Sequence, residues 1–272
     1  MRDFTHRLAV VTGAGSGIGR SLAIALADLG ADLALVDINA DALAETAKRL
    51  ERTRRHVSIH EVDVSDRSKM EALAVDVEAE HGRVDIVINN AGVTVAGTFE
   101  EQSIEDFEWV VGINLWGVVY GCKVFLPLLQ RSDEAYIVNL SSIFGIVGVP
   151  RQTSYCATKF AVRGFSEALA AELAQGPVKV LSVHPGGINT NIVKASRYRG
   201  DSVATRSKLV AMFERRGLSP DIAAERIITA MKMNRERVLI TREAYGIDAI
   251  KRVFPIIPSR VLSWAARRLG GE

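Results

Sequence analysis

Through its first two thirds the chain alternates short runs of aliphatic, β-branched residues with longer stretches whose apolar positions recur every three or four residues. That order predicts repeated strand–helix–strand units built around a parallel sheet. Strands are expected at residues 8–12, 33–37, 57–62, 84–89, 135–140 and 178–184. Most of these runs lack polar/apolar alternation, which is the pattern of strands covered by helices on both faces. Between them the helical period covers residues 18–29, 40–54, 68–81, 103–130 and 154–175. A further helix over 220–233, entered through Ser219 and Pro220 as N-cap and first position, leads to a seventh strand at 237–241. The expected fold is α/β: a doubly wound, parallel, Rossmann-type sheet of about seven strands with helices on both faces.

No internal repeat, low-complexity tract or Pro/Gly-rich linker divides the 272 residues, so a single domain spanning 1–272 is expected. Apolar residues at 48% supply a buried sheet, and charged residues at 24% keep the surface solvated. The formal charge of +2 is too small and too scattered for a nucleic-acid partner. Cys122 and Cys156 have neither metal-site spacing nor a disulfide framework, and the histidines lack clustered partners, so no metal is expected. The first residues enter a strand directly, without an export signal, and no apolar stretch reads as membrane-crossing. A reducing, cytoplasmic setting follows as the expectation.

Chemistry first shows at Thr12-Gly13-Ala14-Gly15-Ser16-Gly17-Ile18-Gly19, where a strand gives way to a helix. Backbone N–H groups and a positive helix end meet a diphosphate at such a junction, and glycine permits the close approach. A tight turn alone would account for the glycines, but the strand-loop-helix setting favours a dinucleotide. Asp37 ends the second strand, where a carboxylate accepts hydrogen bonds from adenosine ribose hydroxyls and repels a 2′-phosphate. Neither Ser16 nor the neighbours Ile38 and Asn39 supply a cation for that phosphate, so NAD is favoured over NADP. The alternative for Asp37 is a helix N-cap. Asp63 and Val64 at the end of the third strand suit the adenine edge, although Asp63 equally suits a turn cap. Asn89-Asn90-Ala91-Gly92 end the fourth strand with small and polar residues that can pass close to a cofactor.

Tyr155 and Lys159 stand one helical turn apart and share a face. An ammonium beside a phenol favours phenolate and is expected to lower its pKa toward working pH, as proton exchange with an alcohol requires. Ser142, or its neighbour Ser141, lies at the carboxyl end of the fifth strand, where open α/β sheets bind ligands. Asn114, mid-helix, occupies a position that disfavours asparagine and so calls for a reason.

The set TGAGSGIG at 12–19, NNAG at 89–92, Asn114, Ser142, YCATK at 155–159 and PGGINT at 185–190 resembles the classical short-chain dehydrogenase/reductases in order and spacing, over roughly residues 5 to 240. The resemblance implies a catalytic tetrad of Asn114, Ser142, Tyr155 and Lys159. Tyr155 would be the acid/base, Ser142 would orient the substrate oxygen, and Asn114 would hold a water in a proton relay. Lys159 would also bind the nicotinamide ribose, lined by Asn90, Ala91 and Gly92. Pro185, Gly186, Ile188 and Thr190 would lie at the nicotinamide end, with Ile188 and Thr190 against the carboxamide. The implied activity is interconversion of an alcohol, secondary and lipophilic by preference, and its ketone. A cofactor-binding scaffold without turnover and a sugar epimerase or dehydratase are the alternatives; a scaffold typically loses the tyrosine or lysine that this chain keeps. A homodimer or homotetramer paired through the helices holding Asn114 and Tyr155 is likewise implied.

Past Thr190 the motifs end. Residues 191–218 correspond to the family's substrate lid, and here Arg197, Arg199, Arg206, Lys208, Arg215 and Arg216 outnumber the acids Asp201 and Glu214. Either a solvated helical face or selection of an acidic substrate would produce that excess, the former being favoured. The extension 243–272 mixes apolar and basic residues. Membrane-surface contact is conceivable there, but Pro255 and Pro258 break the helix that such contact needs, so packing over the cleft or a subunit contact is favoured.

Overall fold

The computed structural model describes residues 1–256. Its elements run β1 (Leu8–Thr12), α1 (Gly17–Asp28), β2 (Asp32–Asp37), α2 (Ala40–Leu50), β3 (Val57–Glu61), α3 (Arg67–His81), β4 (Ile86–Asn89), β5 (Val95–Ala96), α4 (Ile104–Val111) and α5 (Gly117–Leu129). They continue with β6 (Ala135–Leu140), α6 (Thr153–Leu173), β7 (Val178–His184), β8 (Arg197–Tyr198), α7 (Ser202–Arg216), α8 (Pro220–Lys232), β9 (Arg237–Leu239) and α9 (Arg242–Val253). Seven strands form one parallel sheet in the order β3-β2-β1-β4-β6-β7-β9. Every strand read from the sequence is present, within one or two residues at its ends.

Both faces of the sheet's centre are buried, and each central strand divides its side chains between them. Ala9, Val11, Ile86 and Ile88 face a layer containing Leu22, Leu26, Ile227 and Met231. Leu8, Val10, Val87 and Ile137 face the opposite layer, with Met70, Leu73, Phe125 and Val162. A strand sandwiched in this way needs an apolar residue at every position, which explains the unbroken LAVVT of β1.

The strand order places a topological switch between β1 and β4: the chain winds outward through β2 and β3, then returns and winds the other way. A crevice opens outside the carboxyl ends of strands on either side of such a switch, and ligands bind there. The TGAGSGIG turn leaves β1 at that point and NNAG leaves β4 beside it.

The pattern concealed several features. The helix expected over 103–130 is interrupted by a π-helical turn, Gly112–Trp116, which carries Asn114. The whole rod, Ile104–Leu129, is 26 residues and long and apolar enough to cross a membrane by length and composition alone, contrary to the expectation that no stretch reads this way. Val118, Cys122, Phe125 and Leu129 bury one side of it against the sheet. The lid region contains α7 and the two-residue strand β8, which pairs in parallel with β5. From the extension, α9 lies among the described residues; Pro258 and the remaining apolar and basic positions beyond 256 fall outside them.

Candidate active site

Glycine is obligatory where β1 turns into α1. Gly13 and Gly17 adopt left-handed backbone angles, with φ +66° and +53°. A Cβ on Gly19 would sit 2.2 Å from the Gly13 carbonyl oxygen. Ser16 occupies the N-cap of α1, yet its side chain caps nothing, which leaves that satisfying role for the helix's first amides to another acceptor. Asp37 reaches the same loop: Oδ2 accepts from the Gly15 N–H at 2.9 Å and Oδ1 from the Asn39 N–H at 3.1 Å. The N-cap of α2 is Asn39, whose side chain accepts from the Ala42 N–H, so Asp37 is not consumed by capping.

The end of β4 is fastened to this loop. Thr12 Oγ1 accepts from the N–H groups of Asn90 and Ala91 at 3.0 and 3.1 Å. The Asn90 side-chain amide donates to the carbonyls of Thr12 and Gly13 at 2.9 and 3.2 Å. Asn90 therefore holds the glycine loop in register, and Thr12, read from the sequence only as the first residue of the glycine motif, is its counterpart. Asp63 Oδ1 accepts from both the N–H and the hydroxyl of Ser65, at 2.9 and 2.7 Å, so of its two expected roles the turn cap is occupied. Val64 is buried against Gly117 of α5, where a Cβ would meet its Cγ2 at 2.7 Å.

The four tetrad residues converge. Asn114, fully buried, accepts from the Val93 N–H at 2.8 Å and donates to the Val93 carbonyl at 2.9 Å. The π turn gives this mid-helix asparagine its reason: it presents the amide to a backbone that would otherwise lack partners. A Cβ on Gly92 would lie 3.3 Å from Asn114 Oδ1 and 3.6 Å from Lys159 Nζ, which puts Gly92 between them. Lys159 is buried, and Nζ donates to the Leu140 carbonyl at 2.7 Å while lying 5.5 Å from the centre of the Tyr155 ring. Ser142 accepts from the Phe144 N–H at 3.1 Å, and its hydroxyl lies close enough to the Tyr155 phenol to favour the phenolate. Ser141 is not its rival, because its hydroxyl is spent on the Lys159 carbonyl at 2.8 Å.

The electrostatics depart from expectation. The Tyr155 pKa is pushed up to about 12, because burial disfavours phenolate more than the Ser142 hydrogen bond favours it. Burial brings Lys159 down to about 8. The lysine does not depress the phenol here; its ammonium is directed at a backbone carbonyl.

His184 is fully buried, its Nδ1 3.1 Å from the Ser142 carbonyl and its Nε2 3.1 Å from the Ser182 hydroxyl. Burial lowers its pKa to about 4, so the ring is neutral and donates through Nδ1 to the backbone of the serine turn. Pro185 accepts from the Ile143 N–H at 2.8 Å, tying the PGGINT loop to the same turn. Gly186 packs on Thr241 and Glu243, leaving no room for a side chain, and the Gly187 N–H donates to Glu243 Oε1 at 3.2 Å. Glu243 stands far down the chain and carried no signal in the sequence. Ile188 bridges to Leu218 at the far end of the lid, and Thr190 lies against Gly17.

Lid cations are already paired, Lys194 with Glu214 at 2.8 Å and two arginines with one carboxylate. Arg199 grips buried Asp106 of α4 through Nε and Nη2 at 2.6 and 2.7 Å, and Arg197 reaches the same carboxylate at 3.2 Å while stacking 3.7 Å over Trp109. Arg206 donates to the Lys194 carbonyl. These contacts anchor β8 to the body of the protein and weaken the reading of a lid that selects acidic substrates.

A parallel sheet with a glycine cradle at its switch point, and a Ser-Tyr-Lys cluster beside it, defines a dinucleotide-binding oxidoreductase. Residues 7–200 match the family described as short chain dehydrogenase. A Mycobacterium tuberculosis protein carrying the name oxidoreductase SadH is 41% identical over 93% of this chain and 92% of its own length. The oxidoreductase EphD of Mycobacterium bovis is 37% identical over 93% of this chain, which corresponds to 44% of EphD. Among solved structures, a short chain dehydrogenase/reductase from Burkholderia phymatum in complex with NAD has a TM-score of 0.86 and 31% identity, covering 93% of this chain and 95% of that one. An alcohol dehydrogenase from Thermococcus sibiricus complexed with 5-hydroxy-NADP has a TM-score of 0.75 and 29% identity, covering 86% and 95%. The chain belongs to the short-chain dehydrogenase/reductase family and is an oxidoreductase that uses a nicotinamide dinucleotide.

Proposed function

We propose that the chain is an NAD-dependent enzyme that interconverts an alcohol, secondary and lipophilic by preference, and its carbonyl compound, with Tyr155 as the acid/base. The observation that carries this reading is the convergence of Ser142, Tyr155, Lys159 and Asn114 on one edge of the cradle. The residues present fit a dinucleotide: glycines where a Cβ would fill the cradle, uncapped amides at the start of α1, and a carboxylate, Asp37, at the ribose position. Gly13, Ser16, Gly17, Ile18 and Gly19 would hold the diphosphate. Asp37 would hold the adenosine ribose, with Asp63 and Val64 near the adenine. Asn90, Ala91, Gly92 and Lys159 would line the other ribose, and Pro185, Gly186, Ile188 and Thr190 the nicotinamide. When bound, the dinucleotide supplies two-electron exchange with the substrate carbon; the protein handles the proton.

At Tyr155 Oη the proton moves to the substrate oxygen in reduction and away from it in oxidation. Burial keeps the phenol protonated, so the resting chain is charged for reduction, and the Ser142 hydroxyl stabilises phenolate when the proton leaves. Neutral His184 holds the Ser142 turn without adding a charge beside the phenol. Phe144, half-buried over Ile143, Ile146 and Leu239, packs edge-on against Tyr155 at 6.0 Å; an apolar ring beside the phenol suits a lipophilic substrate. Asp37, whose chain neighbours Ile38 and Asn39 and the loop residue Ser16 offer no cation to a 2′-phosphate, supports NAD over NADP. Assembly as a homodimer or homotetramer is part of the proposal, because Trp116, at the end of the π turn and stacked on Tyr120 of α5, and Phe160 of α6 expose aromatic surface.

The test is Tyr155→Phe. It is expected to lower kcat at least about a hundredfold with dinucleotide affinity within about twofold of the parent. An unchanged kcat on a responsive alcohol would remove the acid/base assignment and with it the proposal.

A further inference from the structure

Remote from the cradle, at the amino end of the edge strand, the fold gathers side chains that the sequence keeps far apart. His56 immediately precedes β3, while Glu80 and His81 end α3. One ligand atom from each of the three lies within 4.8 Å of the others. His56 Nε2 is 3.2 Å from Glu80 Oε1, and the two imidazole rings sit 4.3 Å apart. Read along the chain the histidines lack clustered partners, and so no metal is expected there.

We propose that His56, Glu80 and His81 form a binding site for a zinc-class transition-metal dication that staples edge strand β3 to helix α3. Two imidazoles and one carboxylate are the donor set of borderline metals, whereas calcium and magnesium take oxygen ligands. Three protein ligands leave a fourth position for water. Nitrogen and oxygen ligands sit about 2.1 Å from zinc, so the donors must close by roughly an ångström or more. The side chains of His56 and Glu80 are 54% and 43% exposed and can make that movement.

Two further features prepare the site. Buried Ser58 of β3 hydrogen-bonds Nε2 of His81 and Nε2 of His60, each at 2.8 Å, and so fixes the His81 ring from behind. Metal-binding histidines characteristically have such an orienting partner. The site also lies at the carboxyl end of α3, where the helix dipole favours a cation. β3 pairs on one side only, with β2, so a metal bridging it to α3 would stabilise an edge strand of the sheet.

The test uses the full, tag-free chain, stripped with chelator and titrated calorimetrically with zinc chloride. The expected result is one zinc per chain, a rise in thermal midpoint with zinc that magnesium does not reproduce, and affinity at least about tenfold weaker in His56→Ala and in Glu80→Gln. The His56 backbone N–H bonds Asp32 independently of its side chain, so His56→Ala retains that contact, and circular dichroism verifies the fold of both variants. Absence of stoichiometric zinc binding to the parent overturns the site. So does zinc binding that both folded variants retain at parental affinity, since the metal would then lie elsewhere. The outcome is independent of the oxidoreductase reading.

Discussion

Acidification is expected to destabilise this protein through His184, and the effect can be isolated. The imidazole is fully buried, and burial, with smaller contributions from Arg237 and Arg163, lowers its pKa from the ordinary 6.5 to about 4, against the opposing pull of its bond to Ser142. The native state therefore binds fewer protons than the unfolded chain between those two values. Stability from this group is complete above about pH 6.5 and is lost as pH falls toward about 4. The full gap is worth about 3 kcal/mol, and about 2 kcal/mol of it is lost by about pH 5. Urea unfolding of the parent and of His184→Asn, at about pH 7.5 and about pH 5, separates this contribution from those of other carboxylates and histidines. Asparagine keeps an N–H donor for the Ser142 carbonyl but cannot ionise. The parent should lose about 2 kcal/mol more than the variant across the interval. Parallel losses would refute the buried neutral imidazole.

Two other perturbations test the cradle and the lid. Asp37→Asn removes the charge while keeping an acceptor for the Gly15 N–H, and it should weaken NAD about tenfold or more while narrowing discrimination against NADP, read from KM for each dinucleotide; an unchanged NAD/NADP ratio would deny Asp37 the selecting role. Asp106→Asn strips the charge from the carboxylate gripped by Arg197 and Arg199, and it should cost about 2 kcal/mol and speed hydrogen exchange across 191–218; unchanged exchange there would show that the lid is anchored otherwise.

What the sequence made legible follows from burial. The central strands, sandwiched between helical layers, are apolar at almost every position, so their runs stand out; edge strand β3, with Ser58, His60 and Glu61, was found although it is not buried on both faces. The glycines were legible because left-handed φ and a close carbonyl admit nothing larger. The two-residue strands β5 and β8 were hidden, since two residues have no period. The π turn at Asn114 was hidden because one extra residue per turn barely disturbs an apolar pattern. Glu243, His184's contact with Ser142 and the Asp106 clamp all depend on pairings across long stretches of chain, which no local spacing reveals.

The tyrosine and lysine teach the same lesson electrostatically. Placing them one turn apart puts them on one face, but proximity along a helix does not set the direction of the ammonium. Lys159 Nζ donates to the Leu140 carbonyl and stays 5.5 Å from the ring centre, while burial drives the phenol to about 12. It follows that Lys159→Met leaves Tyr155 titrating as before in the free protein. With 13C-labelled tyrosine and Tyr155→Phe for assignment, about one molecule in a hundred should carry phenolate at Tyr155 at about pH 10, in parent and variant alike. If the lysine controls the phenol only once the dinucleotide is present, the parent's phenolate fraction rises on adding NAD and the variant's does not. A free parent already ionised well below pH 10, with the variant shifted upward, would show instead that helical spacing alone activates the tyrosine, and the account of burial winning over charge would fall.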